Sequence, residues 1–119
     1  MSLKTSPPIK VQKAVEALLN NSGSCAPALR QAVEAHAARL SGGDRDAPKI
    51  PEALVTYVDK VTLRAYEVTD QDVQQLKDAG YSEDAIFEIT LCASVGASLA
   101  RLERGMQALR EASNALTSS

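Results

Sequence analysis

Four side chains in this 119-residue chain have the chemistry to act on a substrate: the two cysteines, Cys25 and Cys92, the single histidine, His36, and Glu88. Cys25 stands two residues before Pro27, where a helix is expected to open, and the positive end of a helix can acidify a thiol into a nucleophile. An imidazole can shuttle protons near neutral pH. Glu88 lies between Phe87 and Ile89, and a carboxylate with apolar neighbours is a candidate acid or base. Each also has a plainer reading. Cys25 can be an inert small residue beside a helix cap, and His36 a satisfied histidine on an apolar helix face. Cys92 then serves as a small hydrophobe in a long seam, and Glu88 as a surface residue paired locally.

Spacing limits the chemistry. The cysteines are 67 positions apart, which matches neither a disulfide framework nor a metal knuckle, so no metal or cofactor site is expected. In Cys25-Ala-Pro-Ala28 an alanine holds the place that a second thiol one turn away would need. A sulfenic acid formed on Cys25 could not close a disulfide there.

The elements that must position these residues read as helices. No β-branched residues alternate over a strand length, and glycine and proline fall mostly where apolar periodicity breaks. A first helix follows Pro7 and Pro8, carries Val11, Val15 and Leu18, and ends in Asn20-Asn-Ser-Gly23. A second starts near Pro27 with Leu29, Val33, His36 and Leu40 on one face. Residues 41–49, with two adjacent glycines and no apolar period, read as a mobile loop. A third helix starts at Pro51 and buries Leu54, Val58, Val61 and Ala65. Thr69 caps a short fourth helix with Asp70 and Asp72 in its first turn and Val73 and Leu76 inward. Gly80 ends it, and Ser82 caps a long last helix reaching about Ser113. That helix spaces Cys92, Val95, Leu99, Leu102, Met106 and Leu109 three and four apart, beside a small-residue surface containing Ala93, Gly96, Ala97 and Ala100. A close-packed second copy across that surface, giving a homo-oligomer, is the expected partner.

The stretch Val68-Thr-Asp-Gln-Asp-Val73, then Leu76, then Ala79-Gly-Tyr-Ser-Glu-Asp-Ala-Ile-Phe-Glu88 resembles the C-terminal half of the AhpD-like superfamily of alkylhydroperoxidases and carboxymuconolactone decarboxylases. Ile50-Pro-Glu-Ala-Leu-Val-Thr-Tyr-Val-Asp-Lys60 resembles the family helix before it, and the likeness is strongest over 50–109. The resemblance implies an all-α bundle of about five helices with a long C-terminal helix, commonly assembled as a dimer, trimer or hexamer. The family's peroxidases use Cys-x-x-Cys, a histidine a turn further on, and an upstream glutamate. Here Ala28 and Ala32 stand at the second cysteine and histidine positions counted from Cys25, and His36 comes eleven residues after it. The resemblance thus implies a divergent member without that site. The expected function is that of a non-catalytic helical module that binds a partner or a small ligand; the alternative is a weak one-cysteine thiol peroxidase at Cys25, or decarboxylase-like acid–base work by His36 and Glu88.

Composition narrows the remaining classes. A chain of this length fits a single domain over 1–119, able to bury roughly 65% of its unfolded surface without metals or disulfides. Thirteen basic and fifteen acidic residues give a net charge of −2, scattered rather than striped, which argues against nucleic acid. No apolar run approaching the ~18 residues of a membrane span is read, and Lys4, Lys10 and Lys13 precede no leader-like apolar stretch. A cytoplasmic chain with reduced thiols is expected.

Overall fold

Each helix starts and stops for a local reason. The computed structural model describes residues 9–20 and 23–117; Pro7, Pro8, Asn21 and Ser22, which frame the expected first helix, lie outside them. Helix α1 (Ile9–Asn20) is followed by α2 (Pro27–Leu40), with Pro27 in its first turn, and by α3 (Glu52–Arg64), which tightens into a 3-10 turn at Ala65–Glu67. Thr69 then closes a full capping box on α4 (Asp70–Asp78): its hydroxyl accepts from the Asp72 N–H while the Asp72 carboxylate accepts from the Thr69 N–H at 2.8 Å. That N–H, and next Lys60 at 3.0 Å, hold the Asp72 carboxyl below its ordinary pKa and tie α4 to α3. Gly80 turns the corner with φ +102, a conformation costly for any residue with a β-carbon. The Ser82 hydroxyl then accepts from the Ala85 N–H at 3.1 Å to start α5 (Glu83–Thr117).

The described residues thus form an all-α fold of five α-helices with a long C-terminal helix. Helices α2 and α5 form the central and most extensive pair; α3 lies across both, α4 along the edge, and α1 rests lightly on α2 and α5. Val33, Leu54, Val58, Ile89 and Cys92 fill the interior. At about 1.5 Å per residue, α5 is roughly 52 Å long, which accounts for a molecule of 59 × 29 × 21 Å.

The α2–α5 contact is backbone-close. A β-carbon on Gly96 would lie 2.2 Å from the Glu34 carbonyl oxygen, so only glycine permits this separation. The small side chains on either side, Ala35 and Ala38 on α2, Ala93, Ala97 and Ala100 on α5, are all buried.

Several expectations need correction. The small-residue surface of α5 is filled by α2 of the same chain and is not open to a second copy. On α2, the face marked by Leu29, Val33, His36 and Leu40 is not the buried one: Val33 is buried, but Leu40 is exposed and His36 only half-buried. The residues α2 buries are Arg30, Ala32, Val33, Glu34, Ala35, Ala37 and Ala38: a helix gripped this closely needs small residues at the contact, and the two large charged side chains are buried with ionic partners. Ala65 lies in the 3-10 turn and is exposed, whereas Tyr57 and Thr62 join Leu54, Val58 and Val61 inside. Along the α5 seam only Cys92 is fully buried; Val95, Leu99 and Met106 are half-buried, Leu102 and Leu109 exposed, and the helix continues to Thr117. Finally, α5 is long and apolar enough, by length and composition, to cross a membrane, contrary to the expectation that no such stretch exists. A little under half of that stretch is buried within the fold.

Candidate functional site

The four chemically capable residues fall into two separate places. Cys25, Glu88 and Cys92 come together where the turn before α2 meets α5, and His36 stands apart beside α3.

In the first place, the backbone N–H of Ser24 donates to Glu88 Oε2 at 2.7 Å and pins the turn onto α5. This directs Cys25 inward, where it is 6% exposed and its sulfhydryl donates to the Ala85 carbonyl at 3.5 Å. Burial first, and the Glu88 carboxylate second, push the Cys25 thiol above its ordinary pKa; Arg30 pulls the other way without prevailing. The acidifying effect expected of the helix start is therefore not what governs this thiol. Cys92 lies deeper, fully enclosed, and burial pushes it up to about 11. Cys25 and Glu88 add to that rise while Arg30 opposes it, so both thiols feel the same small set of charges. Both are free, and both belong to the core cluster of Val33, Leu54 and Ile89. A buried thiol that spends its proton on a carbonyl is a weak nucleophile.

Arg30 organises this corner and is a residue the sequence reading missed. It is 3% exposed, donates to the Leu18 carbonyl at the end of α1, and reaches within 4.0 Å of Glu88. Charged residues are expected outside unless paired, and the partners of Arg30 lie twelve positions before it and 58 after. Glu34, one turn further along α2, is equally buried and is met by Arg45 from the 41–49 segment. In the same segment the Gly43 N–H donates to the Ala38 carbonyl at 2.7 Å.

In the second place, His36 Nε2 donates to Asp59 Oδ1 of α3 at 2.7 Å, with both side chains partly open to solvent. The pair sits beside a cleft of about 400 Å³ between α2, the 47–49 segment and the start of α3. Among the described residues no hydrogen bond or ion pair joins His36 to Cys25 or Glu88. No group of three or more His, Cys, Asp or Glu side chains among them is arranged to hold a metal ion. A shallower, almost wholly apolar cleft of about 260 Å³ runs between α1 and α5, lined by Val11, Val15, Leu91, Val95 and Leu99.

Compared with family models, curated proteins and solved structures, the chain matches none.

Proposed function

We propose that the chain is a divergent AhpD-like helical module that acts by binding rather than by thiol peroxidase chemistry, and that it works as a cytoplasmic homo-oligomer. The observation that carries this reading is the setting of Cys25: nearly enclosed, and engaged with the Ala85 carbonyl. The AhpD-like assignment draws support from the succession of α4, the Gly80 corner and α5, which follows the residues that carry the resemblance.

Self-association draws on the outer part of α5. From Arg101 to Thr117 none of its residues is buried, yet Leu102, Met106 and Leu109 continue the three-and-four spacing begun at Val95 and Leu99. A narrow apolar seam of that period suits another helix. The chain itself supplies a matching helix in a second copy, so a closed symmetric pair is the economical cover for the seam. The contact surface is therefore this outer seam, not the small-residue face that α2 occupies.

The alternatives have less support. A one-cysteine peroxidase would need the Cys25 thiolate, which its surroundings disfavour. An acid–base enzyme using His36 with Glu88 would need them together, and they have different partners. Light scattering tests the assembly: a mass that is a multiple of 12.6 kDa, reduced to the monomer by Leu102→Glu with Leu109→Glu, is expected. A monomer at high micromolar concentration in the unaltered protein would refute it.

A further inference from the structure

The cleft beside His36 combines an apolar floor with an excess of positive charge. Ile50 and Val55 line it at the start of α3, Arg39 enters from α2 one turn after His36, and Lys49 enters from the connecting segment. Glu52 is the one carboxylate among its lining residues, and Asp59, which is not among them, is engaged by the His36 ring. Among the described residues neither Arg39 nor Lys49 forms an ion pair. Two cations that form no ion pair among the described residues, at the edge of a cavity of about 400 Å³, fit the usual design of a ligand site, apolar walls with a few convergent polar groups. Arginine is suited to grip a planar carboxylate with two parallel N–H donors. The bond to Asp59 fixes the His36 ring and leaves Nδ1 as its uncommitted nitrogen.

We propose that this cleft binds a small organic anion with an apolar body. Arg39 and Lys49 meet the anionic group, Ile50 and Val55 cover the apolar body, and the ring of His36, oriented by Asp59, supplies the remaining polar contact. The proposal rests on reading the chain as a binding module and names the ligand class for it.

The test is an amide-resolved NMR titration with benzoate, run beside benzamide as a neutral molecule of the same shape, on the unaltered protein and on the Arg39→Gln, Lys49→Gln double variant. Benzoate is expected to shift amides of residues 36–39 and 47–55 saturably. Benzamide and the double variant should each weaken binding by about tenfold or more, a difference of ~1.4 kcal/mol, while the rest of the variant's spectrum stays unchanged. Equal binding of benzamide, or undiminished binding by the double variant, overturns the site. Benzoate shifts confined to the α1–α5 cleft would overturn this site and leave the binding reading standing. Silence at every amide, in a chain that also stays monomeric, would remove both.

Discussion

Glu34 and Gly96 approach so closely that the carbonyl oxygen of the first occupies the space where a side chain on the second would begin. This contact sets the separation of α2 and α5, and through it the depth at which Cys25, Arg30 and Cys92 lie. Alanine at position 96 would gain ~1 kcal/mol of helix propensity, yet overpacking costs ~1–3 kcal/mol and here the obstructing atom is backbone, which no rotamer change can move. Because the obstructing atom is backbone, the upper end of that cost applies, and Gly96→Ala is expected to lower stability by up to ~2 kcal/mol net, a fall of several degrees in Tm. Calorimetry showing equal or greater stability would contradict the close contact.

The Arg45–Glu34 pair joins a buried carboxylate to a half-exposed guanidinium. Removing the cation strands the buried charge, whereas removing both partners does not. Arg45→Ala should therefore cost ~1–3 kcal/mol, less than a fully buried pair would because Arg45 is itself open to solvent. The Arg45→Ala, Glu34→Gln double variant should lose less than the two single variants together, as read from urea unfolding in a double-mutant cycle.

How much of this was legible depended on distance along the chain. Thr69, Gly80 and Ser82 announced themselves because a cap or a corner is decided within four residues, and Leu54, Val58 and Val61 because α3 has one buried stripe. The buried side of α2 was not legible: large apolar residues mark a core face only when the neighbour stands far enough away to admit them, and Gly96 lies sixty positions from residue 36. The same holds for the cluster around Cys25, whose turn is pinned to a carboxylate 64 positions away from Ser24. Arg30 and Glu34 were passed over because nothing local distinguishes a buried charge from a solvated one.

Alkaline pH should weaken the fold through its thiols. Cys92 holds its proton in the native state up to about 11, against an ordinary value of 9.0. Between these values the unfolded chain has lost a proton that the native chain keeps, so stability is complete below pH 9 and declines as pH rises towards 11. The loss from this group is on the order of 2–3 kcal/mol at most. Urea midpoints measured at pH 7 and pH 10.5 should differ, and Cys92→Ala should shrink that difference while lowering stability at both.

The outer end of α5 should be dispensable for the fold and required for assembly. Arg101 donates to the Thr62 carbonyl at 2.9 Å, and Arg104 lies against Gly42, but among the described residues none beyond Ala100 is buried. A chain ending at Gly105 should keep its stability within the range of surface changes, about ±0.5 kcal/mol, when compared at concentrations where the full chain is monomeric. It should also fail to self-associate in sedimentation experiments. Full self-association by the shortened chain would place the contact elsewhere.

The central claim is that the two thiols are sealed interior groups and not a redox centre. The most direct measurement is mass-spectrometric detection of Cys25 oxidation by hydrogen peroxide in the native protein, with and without a thiol reductant. The account predicts oxidation no faster than the protein opens, abolished protection in denaturant, and no catalytic consumption of peroxide. Rapid sulfenic acid formation at Cys25 in the folded chain, recycled by the reductant over many turnovers, would contradict it.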